Sequence, residues 1–187
     1  LNVAYIGNGK SANRYHIPYV LARQEKFRIK AIEARHIDHT AWSEVPGVAY
    51  TTDLEGMLDD PEVDIIEVTT PSDLHFEMAK KALEAGKHVT VDKPFAVTAA
   101  QAQELFDLAS AKGVTVQCYQ NRRFDSDFLT ARQVLASGRL GHVFEVVTSY
   151  DYWRPRMLAG KPLDVQPSRL RTRLTLPRPA HQLVWDA

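Results

Sequence analysis

Val3-Ala4-Tyr5-Ile6-Gly7-Asn8-Gly9-Lys10-Ser11-Ala12 is the stretch whose reading settles the fold class. An apolar strand runs into a turn with two glycines, and a helical stretch follows. The glycine spacing is that of G-x-G-x-x-G/A, with Ala12 in the third small position. Gly7 permits the tight turn. Gly9 lets the backbone approach a pyrophosphate with no side chain in the way. Ala12 lets the helix pack close to the strand. The start of that helix offers unpaired N–H groups and a positive dipole end to phosphate oxygens.

Outward from this turn, strand and helix signals alternate. Strands are expected at Asn2–Ile6, Arg28–Glu33, 48–50, 63–69, His88–Val91 and 114–117. The run 63–69 is apolar and β-branched at consecutive positions and reads as a strand buried on both faces. The first helix is expected over 11–23. Asp53 is placed to cap a short helix holding Leu54, Met57 and Leu58. Ser72 is placed to cap a helix with Phe76, Ala79 and Leu83 on one face and Gly86 just beyond its end. Thr98-Ala99-Ala100-Gln101 has the capping-box form and opens a helix that stops at Gly113. This alternation calls for a doubly wound α/β fold around a parallel sheet with right-handed crossovers. A Rossmann-type domain is expected over 1–119.

A second, incomplete α+β domain is expected over 120–187. It opens with a helix near 124–137 and a strand over 142–152. Residues 155–187 read as irregular. From residue 151 on, the chain holds five of its ten prolines and seven Lys or Arg against three Asp or Glu. Such a segment buries too little apolar surface to offset its ordering entropy.

The totals exclude several classes. Net charge is zero, so no global field favours nucleic acid or an anionic membrane. The single cysteine, Cys118, gives no intrachain disulfide and fits a reducing, cytoplasmic setting. No apolar run approaches the roughly 20 residues a bilayer crossing needs, and the chain begins directly in a strand, so neither a membrane span nor a signal peptide is expected. No metal site is expected.

The chemistry-bearing residues gather where strands end. Ligands of open α/β sheets sit outside the carboxyl ends of the strands. A carboxylate at the end of the second strand binds the adenosine ribose hydroxyls, whereas a nearby arginine accepts a 2′-phosphate. Here the strand ends Ile32-Glu33-Ala34-Arg35. Arg35 tilts the expectation to NADP, with NAD the alternative and a solvated loop arginine the plainer reading. Thr69-Thr70-Pro71 follows the next buried strand, and His75 begins the helix after it, as a ligand contact or simply as a helix residue. Asp92-Lys93-Pro94 closes the following strand. A lysine there can hold or move a proton at a substrate hydroxyl, with Asp92 fixing its direction; a surface ion pair is the alternative. Gln120-Asn121-Arg122-Arg123-Phe124 suits anion or hydroxyl recognition, unless its arginines pair with Asp125 and Asp127.

These motifs, in this order, resemble the Gfo/Idh/MocA family. The likeness rests on the Gly7–Ala12 turn, Thr70-Pro71-Ser72-Asp73-Leu74-His75, Val91-Asp92-Lys93-Pro94-Phe95 and Tyr119-Gln-Asn-Arg-Arg-Phe124, with 82–88 and 137–141 also family-like. It covers residues 1–154. The resemblance implies an NAD(P)-dependent oxidoreductase acting on a sugar or polyol. It implies Lys93 as the catalytic lysine, with Gly7, Asn8, Gly9, Lys10 and Ser11 around the pyrophosphate. Thr70, Pro71 and His75 would line the cofactor cleft, with Asp92, Asn121 and Arg122 near the nicotinamide. Two departures stand out. Asp92 replaces the family's usual glutamate, and the Gly-rich segment that supplies a further Asp and His is not found. Past Pro155 the chain leaves the pattern, through a shifted reading frame or a divergent end. A dinucleotide-binding module without turnover is therefore the alternative function. The family pairs through the sheet of its second domain, so an oligomer of that kind is not expected.

Overall fold

The computed structural model describes residues 1–152, 157–158, 161–162 and 168–175, with side chains described through residue 149. The backbone forms two compact units, Leu1–Gln120 and Asn121–Ala187.

The first unit is a six-stranded sheet in the order β3-β2-β1-β4-β5-β6. Its strands are β1 (Asn2–Ile6), β2 (Arg28–Glu33), β3 (Ala49–Thr51), β4 (Ile65–Val68), β5 (His88–Val91) and β6 (Val116–Cys118). All five pairings are parallel. The chain winds outward one way from β1 through β3, returns to the centre at β4 and winds the other way. That reversal opens a crevice at the carboxyl ends of β1 and β4.

Strand β1 is central because its side chains are apolar on both faces. Val3, Ala4, Tyr5 and Ile6 are all buried. One face carries Ala4, Ile6, Ile66, Val68, Val89 and Val91. It packs under α2 (Leu54–Asp59), α3 (His75–Glu84) and α4 (Ala99–Lys112), which contribute Met57, Leu58, Ala79, Leu83, Leu105 and Ala109. The other face carries Val3, Tyr5, Ile29 and Ile32 and packs against Ala12 and Ile17. Burial of this kind stabilises by about 25 cal/mol per Å² of apolar surface removed from water.

The caps follow the sequence closely. The Asp53 carboxylate accepts the Gly56 N–H at 2.9 Å and starts α2. Thr98 and Gln101 form a reciprocal capping box on α4, and Gly113 ends that helix with φ +69°. Gly86, with φ +76°, follows α3, and its N–H bonds to the Leu83 carbonyl.

Four expectations are corrected. The first helix is a π turn, Ala12–His16, continued by α1 (Ile17–Leu21). The Ile17 N–H reaches five residues back to Ala12 O. Pro18 explains the widening: it lacks an N–H, and its ring would crowd the carbonyl four residues back. Strand β4 is shorter than 63–69 and alternates. Ile66 and Val68 are buried, while Ile65 and Glu67 on the other face are half-buried. The Glu67 carboxylate lies 3.1 Å from His16 Nδ1, so that face receives a polar partner where an apolar one is expected. Ser72 does not cap; it opens a 3-10 turn, Ser72–Leu74, and α3 begins with no side-chain cap.

The fourth correction concerns 155–187. The second unit holds a 3-10 turn Asn121–Phe124, α5 (Ser126–Ala136) and four strands: β7 (Glu145–Tyr152), β8 (Met157–Leu158), β9 (Lys161–Pro162) and β10 (Ser168–Thr175). Strand β10 pairs antiparallel with β7 along all eight residues. Its sequence, Ser168-Arg-Leu-Arg-Thr-Arg-Leu-Thr175, alternates with the period of two that a strand needs. The expectations that fall on Pro155, Pro167, Pro177, Pro179, His181 and Asp186 lie outside the described residues.

Tyr5 is one of three described residues with a buried polar side-chain atom that has no hydrogen-bond partner, beside His16 and Thr70. Its hydroxyl is buried with no hydrogen-bond partner among the described residues. Burial pushes that hydroxyl far above the usual phenol range, and Glu67 and Tyr119 add to the effect. A buried unpaired hydroxyl costs about 1–3 kcal/mol. Tyr5→Phe keeps the ring and removes the cost, so its thermal midpoint is expected to equal or exceed that of the parent chain. A clear fall in the melt would show that Tyr5 Oη has a partner.

Candidate functional site

The crevice at the topological reversal is a cleft of about 700 Å³. Its walls come from three strand ends: Gly7, Asn8 and Gly9 after β1, Glu33, Ala34 and Arg35 after β2, and Thr69, Thr70 and Pro71 after β4. Pockets for small ligands commonly have a volume of this order.

The turn after β1 is held from both sides. Gly7 donates its N–H to Glu33 O at 2.8 Å. Thr69 donates its hydroxyl to Ile6 O and Gly7 O, at 3.1 and 3.0 Å. Gly7 has φ +110°, and an added Cβ would stand 2.9 Å from Thr69 O. Gly9 differs: its φ is not positive, and a Cβ there would meet nothing within 4 Å. The fold requires Gly7 and leaves the space beside Gly9 open. Asn8 is oriented by Asn13, whose amide donates to Asn8 Oδ1 at 2.8 Å and to Gly9 O at 3.0 Å. Asn13 escapes the sequence reading, and Thr69 is read there as part of a strand-end motif without its tie to Gly7. The one signal for Asn13 is a polar residue one helical turn past the glycines.

At the end of β2 the Glu33 side chain is buried. Burial raises its carboxyl above the usual carboxylate range, and Arg35 pulls it back. A folded-state value above the unfolded one means the folded state binds the proton more readily. Stability is therefore lost as pH rises through the folded value. Glu33→Gln is expected to raise the thermal midpoint at neutral pH and to leave it unchanged below about pH 3, where the carboxyl is protonated in both states. Melts at the two pH values check this. The loop beyond β2 also lends His36 and Asp38 to the cleft wall. The Thr40 hydroxyl, with backbone N–H groups, holds the Asp38 carboxyl below its ordinary value. Trp42 of the same loop lies beneath the Arg14 guanidinium, 5.7 Å from its ring centre.

The remaining candidates are placed as follows. Lys10 is exposed at the start of the helical segment. Ser11 donates its hydroxyl to Asp92 Oδ2. Asp92 is buried, and its second oxygen accepts the Lys93 N–H at 2.8 Å. The carboxylate thus fixes the Lys93 backbone, and it makes no ion pair with the Lys93 ammonium. Lys93 is exposed, and the Lys93–Pro94 peptide bond is cis. Thr70 lines the cleft, and its Oγ1 is buried with no partner among the described residues.

His75 is placed differently from expectation. Its ring is 1% exposed, with Nδ1 2.6 Å from Pro94 O and Nε2 2.9 Å from Thr70 O. A ring with both nitrogens on backbone carbonyls is a tie between loops, and Leu74 takes the place on the cleft wall. Asn121 and Arg122 belong to the second unit, where Arg122 pairs with Asp125 at 2.9 Å. Among the described residues no group of three or more His, Cys, Asp or Glu is arranged to hold a metal ion. Nor is any helix among them long and apolar enough to cross a membrane.

The chain is similar to known proteins in sequence and fold. The uncharacterized oxidoreductase YhhX of Escherichia coli K12 is 51% identical over 156 residues, which are 83% of this chain and 45% of that protein. A crystal structure of the probable oxidoreductase YhhX superposes with a TM-score of 0.76 at 50% identity, covering 84% of this chain and 46% of its own. The scyllo-inositol 2-dehydrogenase (NADP(+)) IolW of Bacillus subtilis 168 is 33% identical over 159 residues, 85% of this chain and 44% of IolW. The chain thus spans somewhat less than half the length of these relatives. Residues 1–120 match the sequence model of the oxidoreductase family with an NAD-binding Rossmann fold, Gfo/Idh/MocA. The parallel sheet, the crevice at its reversal and these matches together establish that the chain belongs to the Gfo/Idh/MocA oxidoreductase family.

Proposed function

We propose that this chain binds NADP(H) in the crevice between β1, β2 and β4 and takes part in oxidation or reduction of a sugar or polyol. The observation that carries the reading is Gly9. Neither its backbone angles nor any neighbouring atom requires a glycine there, so the bare backbone serves a ligand. The unpartnered Thr70 hydroxyl, buried at the same cleft, fits a polar ligand group as well.

The roles divide by strand end. Gly7, Asn8 and Gly9 with the Lys10 and Ser11 backbone face the pyrophosphate, where N–H groups and the helix dipole favour negative charge. Glu33 receives a ribose hydroxyl. Arg35 meets the 2′-phosphate, a preference supported by the NADP(+) in the name of the Bacillus relative. Thr70 and Pro71 bound the other end. When bound, the nicotinamide supplies hydride chemistry. Lys93 holds the substrate hydroxyl and carries its proton as the carbon–hydrogen bond is made or broken. Asp92 and Ser11 keep the Lys93 backbone in place. The relative's inositol substrate makes a polyol the first compound to try.

Fluorescence titration with NADPH and NADH, followed by assay of a panel of polyols and sugars, tests the proposal. NADPH is expected to bind more tightly, and Arg35→Ala is expected to weaken NADPH by about tenfold while leaving NADH nearly unchanged. Equal loss for both dinucleotides would remove Arg35 from the 2′-phosphate site. Binding with no turnover on any compound would mark a dinucleotide-binding module. Turnover that survives Lys93→Ala unchanged would end the catalytic assignment of Lys93.

A further inference from the structure

Two loops carry the working residues at one end of the site. One follows β4 and holds Thr70 and Pro71; the other follows β5 and holds Asp92, Lys93 and Pro94. They come from different strands, and no backbone hydrogen bond joins residues 70–71 to residues 93–94 among those described. Among the described residues, the side chain hydrogen-bonded to both is His75. His75 is 1% exposed, its Nε2 lies 2.9 Å from Thr70 O, and its Nδ1 lies 2.6 Å from Pro94 O.

We infer that His75 is a positioning residue for Lys93: its imidazole ties the loop after β5 to the loop after β4 and so sets where Lys93 stands. The inference rests on the reading of Lys93 given above. The loop after β5 is pinned on both flanks of Lys93. Before the lysine, Asp92 is held by the Ser11 hydroxyl from the helical segment after β1. After it, Pro94 is held by His75 from the start of α3. Pro94 has no N–H of its own, so its carbonyl is the only backbone polar group by which it can be held. Each tie comes from a segment that itself borders the crevice. Ser11 follows the glycine turn, and His75 follows Leu74 of the cleft wall. Histidine suits the task because its two ring nitrogens point in different directions and reach two carbonyls at once. A single N–H serves one carbonyl, and both are served when both nitrogens carry hydrogen. Phenylalanine fills the same volume and serves neither.

Amide hydrogen exchange tests the tie without any cofactor, so its outcome does not depend on whether the chain turns over. The Lys93 N–H bonds to Asp92 Oδ1 and reports on its own loop. In His75→Phe, exchange at Lys93 is expected to quicken by about tenfold or more, while the core amides of Ile66 and Val89 keep their protection. An unchanged Lys93 amide would mean that His75 only fills space, and a quickening of all three amides together would mean that it serves the core as a whole. Either result would overturn the inference. If the phenylalanine variant does not fold, the parent chain still decides: at least one His75 ring N–H proton is expected to be shielded from solvent exchange. A ring with none would overturn the inference too. Failure of the NADPH titration would instead count against the proposed function and leave this tie standing.

Discussion

Gly7→Ala is expected to lower the thermal midpoint by about 10 °C. Two penalties combine at this one residue. Its φ of +110° lies where a side chain on the α-carbon is strained, and such residues cost about 1–2 kcal/mol. The added Cβ would also stand 2.9 Å from Thr69 O and 3.1 Å from Thr69 Oγ1, and overpacking costs about 1–3 kcal/mol. Neither neighbour can yield freely. Thr69 N bonds to Ile6 O, and its hydroxyl bonds to Ile6 O and Gly7 O, so the obstacle is itself part of the turn. A total of about 3 kcal/mol is a large share of the 5–15 kcal/mol that keeps a domain folded. It corresponds to about 10 °C in a chain of this size. A melt followed by circular dichroism reads the result. A midpoint within about 2 °C of the parent would mean that the turn relaxes around the methyl group.

Gly9→Ala is expected to do the reverse. Its Cβ enters open space and its backbone is not in the left-handed region, so stability is expected to stay within about 0.5 kcal/mol. NADPH affinity is expected to fall by about 10- to 100-fold, or roughly 1.4–2.8 kcal/mol, because the methyl group takes space the pyrophosphate needs. The two glycines, two residues apart, thus separate folding from binding. A Gly9→Ala chain that binds NADPH as tightly as the parent would refute the placement of the pyrophosphate at this turn. A Gly9→Ala chain that melts early would show that Gly9 serves the fold.

The sheet and most helix boundaries are legible in the sequence because each rests on local chemistry. The Val3–Ile6 run, the Asp53 cap, the Thr98 and Gln101 box and the Gly113 stop need only residues within a few positions of one another. The departures share a different cause. The π turn follows from Pro18 acting on a carbonyl four residues back inside a helix that must also pack on β1. The alternation of β4 follows from His16, which lies 51 positions away and places its ring against Glu67. The strand Ser168–Thr175 does carry a local signal, an alternation of arginine with leucine and threonine. The proline and arginine content of the surrounding segment outweighs that signal when composition alone is read.

The candidate site divides the same way. Glycine spacing, an arginine past β2, Thr70-Pro71 and Asp92-Lys93-Pro94 are visible because chemistry at strand ends lies in short contiguous motifs. Their wiring is not visible. Ser11 reaches Asp92 across 81 positions, Thr69 reaches Gly7 across 62, and His75 reaches Pro94 across 19. By itself, the sequence determined a parallel doubly wound sheet with a glycine turn at its centre, since periodicity, caps and turn residues act over a few residues. Tertiary structure alone decided that the turn requires Gly7 and leaves the space beside Gly9 open, that the Asp92 carboxylate holds a backbone in place of an ammonium, and that the buried His75 ring lies between two backbone carbonyls. Hydrogen-bond partners in a compact domain are set by which strand ends meet in space, and distance along the chain does not record that.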